Sequence, residues 1–233
     1  MPRHVRRLVP AIVAAFAVST LSLVALSTTA TADQPRGYGP SDPFDDSIMP
    51  DDGPQKSVRD KAMIVRTAYG YRLTAAQQNT HLRVRLADGR LRFRDTRTPS
   101  WKSLPEACTR QRVSPGVAAT CRVPGDTSAA NPTLLEVRPR LGNDYVDGRG
   151  LPATFEMAVL GDAGRDTLFG GRGDDYLGGA SDNDRANGGA GKDWIRGGSG
   201  RDRLRGGAES DWIAGLDGRD AINGGSGRDR TFQ

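Results

Sequence analysis

The sequence predicts an all-β fold, most of it a parallel β-solenoid, with a small β region or cap on its N-terminal side. Three observations predict this fold. Residues 161–232 divide into eight consecutive blocks of nine residues without an insertion. Every block has glycine in its first place and aspartate in its sixth. The eighth place is aliphatic in all blocks except the last, which has Thr231, and random glycine-rich sequence would not keep this phase.

Each nonamer combines a turn with a short strand. Glycines in the first six places permit the positive φ angles of a tight turn. The last three places form a strand whose middle side chain, in the eighth place, points inward. Two nonamers then make one coil, so every second block stacks on the same edge. One inward aliphatic side chain contributes about 2 kcal/mol, which does not offset roughly 1.5 kcal/mol of ordering entropy for each of nine residues.

The start of the chain has the pattern of a secretory signal peptide. Three arginines precede an apolar run from Ala11 to about Leu26, and the triplet Ala30-Thr31-Ala32 predicts cleavage before Asp33. A membrane anchor is the weaker interpretation, because the run is shorter than the about 20 residues of a span. We therefore expect an extracellular protein with no stable membrane span, exported by a Sec-type signal, with the twin-arginine route as the alternative at Arg6-Arg7. Removing three arginines and no acids lowers the formal net charge from +5 to +2, which gives nucleic-acid binding little support.

Composition divides the rest of the chain into four segments. Residues 33–60 are rich in proline and aspartate and poor in aliphatic residues, which is typical of a disordered linker. Residues 61–138 form a small β region, residues 139–160 contain degenerate repeats, and residues 161–233 contain the regular ones.

Strand-like alternation marks residues 61–138. Apolar and charged side chains alternate from Leu82 to Phe93, and Asp88-Gly89 is a hairpin turn. We expect an earlier strand around Met63 to Leu73 and another from Thr133 to Pro139. Terminal caps of this kind are what stacked repeats require.

Two cysteines, Cys108 and Cys121, remain in a chain predicted to be exported. Their even number and oxidising destination favour one disulfide. A redox pair is the alternative, but their separation is unlike C-x-x-C.

Two sets of outward side chains are candidates for contact with a cell-wall polymer or glycan. The hairpin arginines Arg83, Arg85, Arg92 and Arg94 form a basic face, which is more often only the solvated side of a hairpin. Trp194 and Trp212 occupy the seventh place of their nonamers two repeats apart, and they either stack on sugar rings or cover the flank of the solenoid.

Residues 139–160 keep parts of the repeat. Gly142, Asp144 and Val146 stand at the repeat offsets, whereas Met157 occupies the place of an aspartate. Four additional residues intervene before the regular blocks. If the coil accommodates them, Asp144 lies on the edge that continues to Asp166.

The nonamers resemble the repeats of the RTX (repeats-in-toxin) family, hemolysin-type calcium-binding repeats with the pattern G-G-x-G-x-D-x-U-x. The resemblance covers only the last 70 to 100 residues. It implies a right-handed parallel β-roll with Ca²⁺ between neighbouring turns of one edge, held by aspartates and turn carbonyls. The implied ligands are Asp166, Asp184, Asp202 and Asp220 on one edge, Asp175, Asp193, Asp211 and Asp229 on the other, and Asp144 at a weaker seventh site. Six gaps lie within the regular block.

Charge supports a metal independently of the resemblance. Coils about 4.8 Å apart bring like carboxylates to a spacing at which a pair costs roughly 3 kcal/mol. Oxygen ligands without nearby thiol or imidazole favour calcium over zinc or copper. Sites beside Ala180, Asp182 and Glu209, which replace turn glycines, are the ones we expect to be altered.

The sequence gives little support for an enzyme. His81 is the one histidine after the predicted signal peptide, so an H-E-x-x-H zinc centre is excluded, and no G-x-S-x-G motif occurs. We therefore predict a secreted, non-enzymatic calcium-binding protein with a structural or interaction role at the cell envelope or matrix. The alternative is a secreted hydrolase with a carboxylate-based site before the repeats.

Overall fold

The computed structural model describes residues 60–76 and 78–233, so the predicted signal peptide and nearly all of the predicted linker lie outside the described residues. Regular structure in this part of the chain consists of β-strands alone. No helix capable of spanning a membrane is found among these residues.

Within residues 60–76 and 78–233, eighteen strands form two sheets of nine strands each. In chain order they are β1 (Lys61–Arg66), β2 (Gly70–Thr74), β3 (His81–Ala87), β4 (Arg90–Asp95), β5 (Ser100–Ser103), β6 (Cys108–Gln111), β7 (Val117–Arg122), β8 (Thr133–Arg138), β9 (Tyr145–Asp147), β10 (Phe155–Leu160), β11 (Thr167–Phe169), β12 (Tyr176–Ser181), β13 (Arg185–Ala190), β14 (Trp194–Gly200), β15 (Arg203–Ala208), β16 (Trp212–Gly218), β17 (Ala221–Ser226) and β18 (Arg230–Phe232). Sheet 1 has the order β18-β16-β14-β12-β10-β8-β2-β1-β5, and sheet 2 has the order β17-β15-β13-β11-β9-β3-β4-β7-β6.

The repeats form the predicted parallel β-roll. Each coil gives one strand to each sheet, and neighbouring strands of a sheet are parallel with a register of two nonamers, as in Leu177 opposite Ile195 opposite Ile213. These eighth-place side chains are fully buried between the sheets. The fold class is therefore confirmed, and its cause is the alternation of one inward aliphatic residue with two outward ones.

The inward ladder continues without a break into the N-terminal strands. On sheet 1, Leu177 pairs with Val159, Val159 with Val137, and Val137 with Leu73. All of these side chains belong to one buried cluster that extends to Phe93 and Trp101. Residues 61–138 thus supply the first strands of both sheets of the roll.

Antiparallel pairing distinguishes the N-terminal strands from the repeats. The β3–β4 hairpin forms as predicted, and its turn residues Asp88 and Gly89 have φ angles of 53° and 65°. The segment from Met63 to Leu73, which we expected to be one strand, is instead the hairpin β1–β2, because the chain reverses at a turn closed by Thr67 N–H donating to Gly70 O (3.0 Å).

The predicted disulfide between Cys108 and Cys121 is present. It joins directly opposed residues of the antiparallel pair β6 and β7. β7 in turn pairs with β4, so the bridge ties the outermost strand of sheet 2 to its neighbours.

Candidate metal centre

Two stacks of aspartate side chains run along the two edges of the roll. The first stack contains Asp144, Asp166, Asp184, Asp202 and Asp220, and the second stack contains Asp175, Asp193, Asp211 and Asp229. All of them except Asp220 and Asp229 are at most 3% exposed. The structure thus brings the sequence-predicted site residues together in the predicted order, with Asp144 in line with Asp166 despite the four additional residues.

A backbone contact repeats at every level of each stack. The backbone N–H of one aspartate donates to Oδ1 of the aspartate one coil later, at 2.7 Å from Asp166 to Asp184 and 2.9 Å from Asp175 to Asp193. The carbonyl of Asp166 accepts a hydrogen bond from Arg185 N–H of the next coil (2.9 Å). One carboxylate oxygen and both backbone polar groups of each inner aspartate are therefore satisfied by the coil geometry itself.

The first aspartate of each stack receives the same backbone contact from a residue that is not an aspartate. Thr80 N–H donates to Asp144 Oδ1 (2.5 Å) on the first edge, and Met157 N–H donates to Asp175 Oδ1 (2.6 Å) on the second. Sequence reasoning identified Met157 but missed Thr80. The signal was present, since Asn79-Thr80-His81-Leu82 aligns with Asn143-Asp144-Tyr145-Val146, and Asn143 N–H donates to Asn79 Oδ1 (2.9 Å).

The second carboxylate oxygen is buried and has no hydrogen-bond partner in seven of the nine aspartates. They are Asp144, Asp166, Asp184, Asp193, Asp202, Asp211 and Asp220. Asp175 differs, because its Oδ2 accepts a hydrogen bond from Gly171 N–H (2.5 Å). A buried carboxylate oxygen without a partner is costly unless the group is neutralised or binds a cation.

The first glycine of each nonamer makes room for this oxygen. A Cβ atom at Gly161 would lie 2.2 Å from Asp166 Oδ2 and 2.8 Å from the carbonyl oxygen of Gly179 in the next coil. A Cβ atom at Gly188 would lie 2.0 Å from Asp193 Oδ2. Each carboxylate therefore folds back over the glycine of its own turn, close to backbone carbonyl oxygens, which explains why no other residue occupies the first place.

Burial makes these carboxyl groups hard to ionise. It is the largest cause that raises the pKa of Asp144, Asp166 and Asp184 from an ordinary value near 3.8 to about 7, with neighbouring acids as a smaller cause. Burial likewise raises the pKa of Asp211 to about 6. It also raises the pKa of Asp175 and Asp193, which repel each other in the second stack. Desolvation thus raises these pKa values more than does the repulsion between carboxylates of neighbouring coils.

The stacks suit a hard cation that takes oxygen ligands. Among the described residues, no three side chains of histidine, cysteine, aspartate or glutamate gather at one point. A cation between two levels would therefore take carboxylate oxygens together with backbone carbonyls. This mixed set of oxygen ligands is the one that calcium accepts with flexible geometry.

The departures from the repeat pattern keep the turn conformation. Ala180, Asp182 and Glu209 have φ angles of 80°, 74° and 78°, the left-handed region that glycine occupies at lower cost. Asp184 and Asp211, which close these turns, stay in their stacks. The substitutions therefore add backbone strain without displacing either carboxylate.

Three of the four arginines of the predicted basic face form ion pairs. Asp147, a buried residue that sequence reasoning did not identify, accepts from Arg83 (3.1 Å), Arg85 (2.7 Å) and Arg149 (3.0 Å). Burial would raise the pKa of the Asp147 carboxyl, but Arg149 and Arg85 together hold it well below the usual range. Arg92 pairs with Asp88 (2.5 Å).

The outward tryptophans cover the flank of sheet 1. Trp194 and Trp212 are paired in register with ring centroids 5.5 Å apart, and Trp212 also contacts Phe232 at 5.2 Å. Trp194 is only 7% exposed and packs with Tyr176 and Ala158. Little of its ring face remains for a sugar, so packing accounts for Trp194.

His81 is placed in a packed row of aromatic side chains. Its ring stacks on Tyr145 at 4.5 Å, and its backbone N–H donates to Asp95 Oδ1 (3.1 Å). Tyr145 continues the row to Phe169 at 5.7 Å. The imidazole thus has a structural contact in sheet 2.

Comparison with known proteins agrees with the geometry of the repeats. The family model of the RTX calcium-binding nonapeptide repeat (4 copies) matches residues 159–186, 178–213 and 196–230. A search of curated proteins and a search of solved structures find no match.

Proposed function

We propose that this chain is a secreted, non-enzymatic protein whose roll folds when calcium binds. The match of the RTX calcium-binding nonapeptide repeat model to residues 159–230 supports this proposal. We further propose that it has a structural or interaction role at the cell envelope or in the extracellular matrix. The observation that carries the proposal is the column of buried carboxylate oxygens that have no hydrogen-bond partner, repeated on both edges of the roll.

The ligands we assign to calcium are the nine aspartates of the two stacks. The first stack has four gaps between successive aspartates and the second has three, so the roll offers up to seven positions. In each gap the aspartates would supply Oδ2 and the glycine turns would supply carbonyl oxygens. When bound, calcium supplies positive charge and ligand bonds to the Oδ2 atoms, seven of which are buried without a hydrogen-bond donor.

Calcium binding would then be coupled to folding. At neutral pH the unfolded chain holds its aspartates ionised in water, whereas the folded metal-free roll must either bury those charges or protonate them. Calcium removes this penalty only in the folded state, because the carboxylates of one gap come from different coils. Binding free energy therefore becomes folding free energy.

Export is supported by two independent features. The signal-peptide pattern of residues 1–32 predicts secretion. The disulfide between Cys108 and Cys121 suits an oxidising compartment. Extracellular calcium-binding modules work at Kd values of about 10⁻⁴–10⁻³ M, so arrival outside the cell would switch the roll from unfolded to folded.

A calcium titration followed by circular dichroism tests the proposal. We expect a cooperative gain of β signal with calcium and little gain with magnesium, which dehydrates reluctantly. Assays for glycan and peptide hydrolysis on the same samples should detect no turnover. A protein that is fully ordered without calcium and unaffected by it would contradict the proposal.

A further inference from the structure

A basic groove lies beside the first aspartate stack on the outer face of sheet 2. Its volume is about 610 Å³, and we call it the arginine groove. Its arginines are Arg165, Arg185, Arg201, Arg203 and Arg219. The aspartates of three levels of the first stack form part of the lining, so the groove runs directly over the candidate metal positions.

The coil geometry sets the spacing of these arginines. Arg185 and Arg203 are register partners on β13 and β15. Arg201 and Arg219 occupy the fifth place of nonamers that are one coil apart. The backbones of the two residues in each pair are therefore about 4.8 Å apart. Arg201 N–H donates to Asn183 Oδ1 of the preceding coil (2.7 Å), which anchors the backbone while the guanidinium stays outside. The groove crosses four coils, a length of about 14 Å.

The five guanidinium groups are free to bind an anion. All five residues are exposed, and none of them forms an ion pair with a described residue. This distinguishes them from Arg83, Arg85 and Arg92 of the hairpin, which already hold carboxylate partners. Guanidinium forks recognise carboxylate, sulfate and phosphate oxygens in bidentate geometry.

We propose that the arginine groove binds a linear anionic polysaccharide, and this inference relies on calcium occupying the first stack as proposed above. Asp166, Asp184 and Asp202 lie at the floor of the groove, where each ionised carboxylate opposes the arginines when calcium is absent. Calcium between these levels cancels that negative charge and leaves the field of the arginines unopposed. The calcium-loaded roll is therefore the form that binds the polymer.

The lining favours a polysaccharide over a nucleic acid. Single-stranded nucleic acids are held by aromatic side chains on which bases stack, and no aromatic residue lines the groove. Thr167 and Asn183 instead place a hydroxyl and an amide among the arginines, where they can bond to sugar hydroxyls. A straight groove over several coils fits a chain with repeated charges better than a single small anion.

The test measures binding of dextran sulfate to the calcium-loaded protein at saturating free calcium, with uncharged dextran of the same length as a control. We expect dextran sulfate to bind and dextran not to bind. The double variant Arg185→Ala, Arg203→Ala should weaken binding by about tenfold, since two charge contacts are lost. The matched control Arg90→Ala, Arg110→Ala removes the same charge from exposed positions of β4 and β6 in sheet 2, outside the groove, and should change affinity less than twofold.

Equal losses in both double variants would overturn the inference, because binding would then follow net charge alone. Tighter binding of a single-stranded DNA oligonucleotide, lost in the groove variant, would show that the polymer assigned is wrong. Circular dichroism of each variant with calcium separates the two proposals. A calcium-induced fold that ignores dextran sulfate contradicts only the groove, whereas no calcium-induced fold contradicts the function on which it relies.

Discussion

Acidification should replace calcium in folding the metal-free protein. Burial raises the pKa of Asp144, Asp166 and Asp184 to about 7, compared with about 3.8 for an exposed aspartate. Each group therefore costs about 4 kcal/mol more to ionise in the folded state than in the unfolded state. Part of each shift is repulsion within the stack, so the three costs add incompletely, but their sum is still comparable with the whole stability of a typical domain, about 5–15 kcal/mol.

The direction of the effect follows from the protons that each state binds. Between about pH 4 and pH 7 the folded state keeps these carboxyls protonated while the unfolded chain loses its protons, so the free energy of unfolding falls as pH rises. Stability is fully present below the unfolded pKa and is lost as pH rises through the folded pKa. Asp147 does not interfere, because its lowered pKa places its titration below this range.

Calcium should reverse this profile. Protons compete with the cation for the same oxygens, so the calcium-loaded protein should lose stability as pH falls from 7. The assay is β-sheet circular dichroism from pH 4 to pH 8, on metal-free protein and in millimolar calcium. Metal-free protein that gains structure as pH rises, or identical pH profiles with and without calcium, would refute the reasoning.

Three substitutions test other parts of the account. Asp193→Asn keeps an acceptor for the Asp175 N–H but removes a buried charge, so it should stabilise the metal-free protein. Because a carboxylate ligand is lost, it should also raise the calcium concentration at the midpoint of folding, the calcium midpoint, by about tenfold. The exposed control Asp217→Asn should change neither quantity, and equal effects of the two would argue against the stacks. Gly188→Ala places a Cβ 2.0 Å from Asp193 Oδ2 and should cost about 2–3 kcal/mol by thermal unfolding in calcium, whereas Gly125→Ala enters open space. An unchanged melting temperature of Gly188→Ala would show that the glycine is not needed to make room for the carboxylate. Leu216→Gly relieves a strained φ of 74° at an exposed position, so it should stabilise the folded roll by about 1 kcal/mol. The expected readout is a lower calcium midpoint, and a higher midpoint would contradict this prediction.

The repeat segment was predictable because its nine-residue period predicts both the fold and the residues of the site. An aliphatic residue two places after every repeat aspartate except Asp229 determines the inward ladder, and the stacking of alternate blocks determines which aspartates meet. The alignment of Asp144 with Asp166 across a longer coil was also predictable, since Gly142, Asp144 and Val146 keep the offsets of the repeat. Local turn chemistry and a single inward side chain are sufficient for such a prediction.

The N-terminal strands were harder to predict because no period marks them. The strands β5 and β6 are four residues long and carry few apolar residues. The pairing of β5 with β1 and of β7 with β4 depends on contacts distant in sequence. The stack start at Thr80 lacks the aspartate that identifies a repeat, so only its spacing to Leu82 signals it. The pairing of Asp147 with Arg83 and Arg85 likewise arises from register between β9 and β3, which the sequence alone does not state.

The most direct test of the central claim is the number of calcium ions that the folded protein holds, counted by native mass spectrometry at neutral pH. The account predicts several bound calcium ions, up to seven, one for each gap between successive aspartates in the two stacks. Asp193→Asn should lower the count and Asp217→Asn should not. A folded protein that carries no bound calcium would contradict the account.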